Sequence, residues 1–521
     1  MDKLAQLDHR YVWHPFTQMR DWLKQEPIII VEGKGAVLRD VRGREYLDAN
    51  SSIWTNLHGH NHPKINGAIA QQLTRIAHSS ALGFANEPAS LLAERLVALA
   101  NASAPRRASR PSTGLGAKRT PQSGDLQKVF FSDDGSTALE VALKLAYEYA
   151  RRTGHSKRPR FLSMAGAYHG DTVGAVSLGH IDLFHKAYGG LLFKTDSVMA
   201  PYCYRCPFNQ ARPERADARE YRKCRWECVA SVEKTFARQQ KKGNGYAGFV
   251  FEPLMQGAAG MIAQPQGWLT RVAEIGSHFR TPMIADEVMT GFGRTGVVER
   301  ERTSSNEPAK AGQGRSARRS EKLGLEAFSS LRVPSLFACA KEGVRPDFLA
   351  VAKGLTGGYL PMAATLTTQA VFDVFLGEYS EFKTFFHGHS FTGNQLGSAA
   401  ALASLELLQS PVSIEARRKL EQRLRQELQT LWSLPQVGDI RQVGLMAGIE
   451  LVRNWRTRLG FDLRERAGIR VCEAMARRGV LTRPIGNVIV LMPPYCTSAA
   501  QVRQMVGALR EGVAEVLSVS C

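Results

Sequence analysis

Four short stretches of this chain are apolar on consecutive residues instead of alternate ones: residues 160–163 (RFLS), 248–252 (GFVFE), 282–286 (PMIAD) and 348–352 (FLAVA). A strand that is apolar on both faces has to be covered on both, which suits the interior of a mostly parallel sheet. Each run follows a helix-like stretch. A further run at 128–131 (KVFF) leads into residues 136–150, where Leu139, Val141, Ala142, Leu145 and Ala146 recur at helical spacing. Strands alternating with helices predict an α/β domain with flanking helices on its central sheet. Beyond about residue 395 the pattern changes to long helices at 396–408 and 413–431, then short strands around 439–441, 448–452 and 488–492. That predicts a smaller α+β domain. With 521 residues, the chain exceeds one ordinary core. The expected division is 1–64 as an N-terminal segment of the small domain, 65–375 as the large domain, and 376–521 as the rest of the small one.

Lys and Arg number 68 against 48 Asp and Glu, a net charge of +20. Such a surplus can mean nucleic acid, an anionic membrane or an acidic ligand, and its distribution separates these. Residues 101–128 carry net +5, residues 300–332 net +4 and residues 202–228 net +3, together 12 of the 20 charges. The first two are rich in Ser, Gly, Pro and Ala without periodicity, the composition of solvated loops. They are expected to be basic insertions near 101–128 and 300–335. No helix-turn-helix spacing, zinc-finger His pair or aromatic-studded basic strand supports a nucleic-acid partner. No apolar run approaches the roughly 20 residues of a membrane span, and the opening MDKLAQLDHR lacks a signal-peptide core. The expectation is a cytoplasmic protein with neither membrane nor nucleic acid as partner.

Without a secretion signal the eight cysteines are expected as reduced thiols. Cys203, Cys206, Cys224 and Cys228 are spaced C-x2-C-x17-C-x3-C. Paired thiolates at such spacing can close a tetrahedral zinc site, and the plainer reading is four loop thiols with no metal.

The chemistry-bearing residues stand where strands end. Lys353 closes the run DFLAVAK and is followed by GLTGG, so its amine is partly desolvated, which favours the neutral, nucleophilic form. A lone strand-end lysine is usually a surface residue. Asp286 ends IAD and precedes Glu287 and the turn TGFGRTG. A buried Asp needs a cationic partner or hydrogen bonds; a protonated pyridine nitrogen would be such a partner, and a cap on the next turn is the alternative. Residues 131–137 (FSDDGST) join a strand to a helix whose first N–H groups and hydroxyls could cradle a phosphate. This is not a Walker loop.

Lys353 with its glycine turn, Asp286-Glu287 with residues 291–296 (GFGRTG), Gly135-Ser136 and residues 168–171 (YHGD) resemble the class III pyridoxal-phosphate aminotransferases over nearly the whole chain. The resemblance implies the type I fold of pyridoxal-phosphate transferases, with pyridoxal 5'-phosphate as cofactor. It also implies roles. Lys353 is the Schiff-base lysine and proton carrier, Asp286 the partner of the pyridine nitrogen, and Tyr168 a flat cover on the cofactor ring that also meets substrate. Gly135 and Ser136 hold the phosphate, while His389 and Ser390 reach a neighbouring subunit's phosphate, so a homodimer with shared sites follows. Further segments, WHPFTQM at 13–19, SSIW at 51–54, FHGHS at 386–390, LTRP at 481–484 and MPPY at 492–495, resemble the family's biotin-synthesis branch. They imply conversion of 8-amino-7-oxononanoate to 7,8-diaminononanoate, with Trp54, Tyr168, Gly388 and Arg483 at the substrate and Arg483 on its carboxylate.

Two departures bear on the amino donor, S-adenosylmethionine or lysine. Phe16 stands where many members carry Tyr, and Ile53-Trp54 where many carry two tryptophans. Asp286 and Lys353 lie 67 residues apart, about twice the family's spacing, which the basic stretch near 300–335 accounts for. The rival readings are a class III transaminase of ornithine or 4-aminobutyrate type, and a basic nucleic-acid-binding or regulatory protein.

Overall fold

The computed structural model describes residues 2–102, 124–297 and 335–517. Of the expected basic insertions near 101–128 and 300–335, residues 103–123 and 300–334 lie outside these residues, whereas 126–128 belong to a strand of the central sheet and not to an insertion.

The central sheet has seven strands: β1 (Leu126–Ser132), β2 (Arg160–Met164), β3 (Asp196–Val198), β4 (Tyr246–Phe251), β5 (Met283–Asp286), β6 (Phe348–Val351) and β7 (Ala363–Thr368). Their order across the sheet is β1-β7-β6-β5-β4-β2-β3. Strands β4, β5 and β6 are buried at every position, as continuous apolar runs require when both faces are covered. Strand β7 is the one antiparallel member, paired with β6 on one side and β1 on the other. Its sequence, AATLTT, mixes threonines into a wholly buried strand. The hydroxyls of Thr365 and Thr367 donate to the carbonyls of Ala138 (2.7 Å) and Asp347 (3.1 Å), which is how polar side chains are tolerated there and why hydropathy alone passes over the strand. Strand β6 also departs from the strand-and-helix alternation: among the described residues it is preceded by a 3-10 turn, Cys339–Glu342, with no α-helix between.

Helix α1 (Gly135–Arg152) begins with a reciprocal cap. Asp134 Oδ1 accepts from the Thr137 N–H, and Thr137 Oγ1 accepts from the Asp134 N–H, both at 2.9 Å. Its apolar face, including Leu139, Val141 and Leu145, is buried against β4, β6 and β7. Each such side chain contributes roughly 1.5–3 kcal/mol. The helix is thereby fixed on the sheet with its N-terminus at the end where the parallel strands finish.

The two chain ends meet in a four-stranded sheet, in which Val480–Leu481 pairs in parallel with Glu45–Asp48, flanked by Val37–Asp40 and Ile30–Lys34. A separate sheet contains Val437–Val443, Met446–Asn454, Val488–Leu491 and Pro484–Ile485. Long helices Gln395–Gln409, Pro411–Gln429 and Ala499–Leu517 accompany it. Among the described residues no helix is long and apolar enough to cross a membrane.

Burial also leaves a pH signature. Asp347, just before β6, accepts from the Met283 N–H of β5 at 2.8 Å and is almost wholly buried. Loss of water pushes its pKa up to about 7 from 3.8, against the hydrogen bonds that lower it. A folded-state value above the unfolded one means that the contribution to stability is full below about pH 4 and is lost as pH rises through about 7. Asp347→Asn keeps an acceptor for the Met283 N–H without the charge. Thermal melts should show its Tm falling less than that of the parent between about pH 4 and about pH 8; identical pH slopes would contradict the burial argument.

Candidate active site

Beyond the ends of β5 and β6 a cavity of ≈ 460 Å³ opens, lined by Lys353, Asp286, Tyr168, Gly135, Ser136 and Trp54, six of the residues singled out in the sequence. Parallel register is the cause. Asp286, the last residue of β5, pairs with Ala350 of β6, so Lys353 follows only three residues beyond that level on the neighbouring strand.

The chain turns at Lys353 with φ of 43°, in the left-handed region that non-glycine residues seldom occupy. The turn Lys353–Thr356 then runs into Gly357 and Gly358. At Gly358 φ is +87°, and a Cβ would lie 2.8 Å from backbone atoms of Asn56, so glycine is required for the close approach of the 55–58 segment. Burial lowers the Lys353 pKa from its usual 10.5, opposed by the Asp286 and Glu252 carboxylates. Its Nζ stands 4.8 Å from the centroid of the Trp54 ring and has no hydrogen-bond partner among the described residues.

Trp54 ends a strained segment. Ser51, Ser52, Ile53 and Trp54 all have positive φ, from 46° to 73°. Left-handed backbone costs about 1–2 kcal/mol per non-glycine residue, so something must hold it. Asp48 does so by accepting from the Ser52 N–H (3.0 Å) and hydroxyl (2.9 Å), while Ser51 Oγ donates to the Met492 carbonyl and Trp54 Nε1 to Asn50 Oδ1. The sequence points to the aromatic residue and not to this backbone.

Two wall residues carried no assigned role in the sequence. His169, inside the YHGD segment, places Nδ1 2.7 Å from Asp286 Oδ2, and both side chains are buried. The other Asp286 oxygen accepts from the Val288 N–H at 3.0 Å. Glu252, at the end of β4, accepts from the N–H groups of Tyr168 (3.4 Å) and Gly257 (2.7 Å). Burial raises its pKa to about 7, with His169 opposing and Asp286 adding to the rise. Its signal in the sequence was the charged end of an apolar run, the same signal that marked Asp286.

At the opposite wall the N-terminus of α1 presents the Gly135 and Ser136 N–H groups, which have no backbone partner among the described residues. Ser136 Oγ accepts from the Asp171 N–H at 3.1 Å, and the Tyr168 hydroxyl donates to Asp171 at 2.6 Å. Gly170, with φ of 121°, lies so near Ser136 that a Cβ would fall 1.9 Å from its Oγ. Tyr168 itself is desolvated, which together with Asp171 keeps its hydroxyl protonated well above the usual range.

Gly388, His389, Ser390 and Arg483 do not line this cavity within one chain. His389 Nδ1 instead lies 3.0 Å from Asp133 Oδ2 at the cavity edge, the Ser390 carbonyl accepts from His78 Nε2, and Gly388 is exposed. Arg483 is exposed, between the strands Val480–Leu481 and Pro484–Ile485, with no hydrogen bond or ion pair among the described residues. Cys203, Cys206, Cys224 and Cys228 are free thiols, and among the described residues no group of three or more His, Cys, Asp or Glu side chains is placed to hold a metal ion.

The donor set fits a flat, anionic, aldehyde-bearing pyridine. An amine with depressed pKa, a buried carboxylate for a ring cation, an aromatic ring at each of two walls, and unpaired N–H groups at a capped helix start for a phosphate are present together.

Comparison with known proteins agrees. The sequence profile of "Aminotransferase class-III" matches residues 19–298 and 332–513, leaving a gap within the second basic stretch. An adenosylmethionine-8-amino-7-oxononanoate aminotransferase of Geobacter sulfurreducens is 42% identical over 510 residues, 98% of this chain and 97% of that protein. The crystal structure of the Methanocaldococcus jannaschii protein of that name superposes with a TM-score of 0.80 at 36% identity, covering 99% of both chains. A pyridoxal-phosphate-bound amine transaminase from an uncultivated Pseudomonas species gives 0.78 at 29% identity, over 97% of this chain and 98% of that one.

Borohydride reduction of the cofactor-loaded protein should attach the cofactor to the peptide containing Lys353. Lys353→Ala should stay folded and lose at least about 10²–10⁴-fold in transamination. Mass mapping that finds the label on another lysine would displace Lys353 from its role.

Proposed function

Because the chain belongs to the class III aminotransferases and is therefore a pyridoxal-phosphate enzyme, we propose that it transfers an amino group to 8-amino-7-oxononanoate, giving 7,8-diaminononanoate for biotin synthesis in the cytoplasm. The observation that carries this reading is the convergence of Lys353, Asp286 and Trp54 on one cavity in a chain similar end to end to proteins named for that reaction.

Pyridoxal phosphate, when bound, supplies the aldehyde that accepts the amino group and a ring that takes up electrons. Asp286 would hold the ring nitrogen in its cationic form, and His169 fixes that carboxylate from behind. Lys353 takes and returns the proton at the substrate carbon, a task for which its depressed pKa suits it. Tyr168 would cover a face of the ring, and Trp54, whose ring centroid is 4.8 Å from the Lys353 amine, would meet the substrate. Gly135 and Ser136 would anchor the phosphate at the start of α1. Arg483, exposed and without a partner among the described residues, is assigned the substrate carboxylate.

The same reading makes the protein a homodimer. Gly388, His389 and Ser390 lie outside their own chain's cavity, in a segment where Phe386 and Phe391 are 74% and 59% exposed; that apolar surface suits an interface through which these residues serve the second site. The division at 1–64, 65–375 and 376–521 is part of the proposal, supported by the pairing of Val480–Leu481 with Glu45–Asp48.

Purified protein incubated with 8-amino-7-oxononanoate should form 7,8-diaminononanoate with S-adenosylmethionine, the donor in the relatives' names, and lysine serves as the discriminating second arm. No product with either donor would reject the assignment. Light scattering should give a mass of twice 57.4 kDa; a monomer that is fully active would reject the shared site.

A further inference from the structure

The four clustered cysteines lie outside the active-site cavity and sort into two kinds. A single buried side chain, Asn209, clasps the two halves of the cluster. Its amide donates to the Cys203 carbonyl at 2.9 Å, its backbone N–H to the Cys206 carbonyl at 3.1 Å, and its side-chain oxygen accepts from the Lys223 N–H at 2.9 Å, next to Cys224. Cys228 follows in the first turn of the helix Glu227–Lys241. Burial first, and then the neighbouring thiols, raise the pKa of Cys203 (by Cys228, Cys224 and Cys206) and of Cys228 (by Cys206 and Cys224). Cys203 and Cys228 are buried, and desolvation pushes their thiols up to about 12 and about 11, which makes them inert. Cys206 and Cys224 are partly exposed. Arg222 Nη1 donates to Cys224 Sγ at 3.1 Å, and the same guanidinium is fixed 3.9 Å from the centroid of the Trp226 ring. A held cation on an accessible sulfur marks the attacking member of a thiol pair.

We propose that Cys224 and Cys206 form a peroxide-sensitive pair, a reversible oxidation site separate from the transamination chemistry. Cys224 sulfur attacks the O–O bond of hydrogen peroxide, takes one oxygen as sulfenic acid, and its own proton converts the departing hydroxide to water. Cys206 sulfur then displaces the sulfenic hydroxyl, forming the S–S bond and a second water. Two thiols lose two electrons and the peroxide gains them. The bridge would close the loop between residues 206 and 224 and fasten the segment whose Tyr202 and Arg205 grip Glu450 of the C-terminal sheet.

The test treats the cofactor-loaded, full-length protein with hydrogen peroxide and follows it by differential alkylation and peptide mass mapping. The expected product is a cross-link joining the Cys206 and Cys224 peptides, reversed by dithiothreitol. Cys206→Ser should leave Cys224 as a sulfenic acid that dimedone captures. Arg222→Gln should slow bridge formation about tenfold while the transaminase rate holds. A bridge between any other pair, or Cys206 and Cys224 still free after Cys496 has reacted, would overturn the proposal. So would one equivalent of zinc in the purified protein, released on oxidation, since all four sulfurs would then be ligands.

Discussion

A carboxylate buried where parallel strands end has no water to solvate it, and most of the site follows from how Asp286 meets that requirement. Desolvating an unpaired carboxylate costs several kcal/mol, so the charge persists only with a partner at hydrogen-bond distance. His169 provides it at 2.7 Å, and the Val288 N–H provides a second contact at 3.0 Å. To bring His169 there, the turn after β2 must pass against α1, which requires Gly170 beside Ser136 and places Tyr168 on the cavity wall. The same turn brings the Tyr168 N–H to Glu252 at the end of the neighbouring strand β4. One electrostatic demand thus organises three strand ends and the start of a helix.

Strain is the second organising feature, and it sits on both sides of the contact between Lys353 and Trp54. Lys353 and the 51–54 segment both occupy left-handed backbone that their side chains disfavour. Asp48 clamps the 51–54 turn and is itself paired with His60 at 2.9 Å, while Gly357 and Gly358 let the 55–58 segment press against the lysine turn. The cost is met by the surrounding structure, and the return is an amine set 4.8 Å from the Trp54 ring with no competing hydrogen bond among the described residues.

How much of this could be read beforehand depended on whether a feature was carried by hydrophobicity or by contact. Strands β4, β5 and β6 were legible because continuous apolar runs admit few alternatives, and Asp286 and Lys353 were legible as the charged ends of two of them. Strand β7 was not, since Thr365 and Thr367 break the apolar run and are satisfied only by carbonyls far away in sequence. The Asp286–His169 pairing spans 117 residues and leaves no local trace. The left-handed backbone at 51–54 involves Ser, Ser, Ile and Trp, none of which favours that region, so no propensity argument reaches it. Glu252 carried the same strand-end signal as Asp286 but no neighbouring motif to single it out.

The charge surplus is the feature for which sequence counting misleads in an instructive way. Residues 202–228 hold seven basic and four acidic side chains, one of the three stretches that concentrate the surplus. In the folded chain four arginines of this stretch bind the protein itself. Arg205 is paired with Glu450 at 2.6 Å, Arg219 with Asp217 at 2.6 Å, Arg215 donates to the carbonyls of Trp432 and Val437, and Arg222 lies over Trp226. A guanidinium committed to a buried carboxylate and carbonyls is a poor ligand for a mobile phosphate, because binding would first have to break those contacts. The segment therefore ties the chain between β3 and β4 to the C-terminal sheet, where Arg441 completes the join by donating to Glu450 and to the Met261 carbonyl, three residues from Ala258 on the cavity wall. Net charge counts residues, while a binding surface requires charges left unspent.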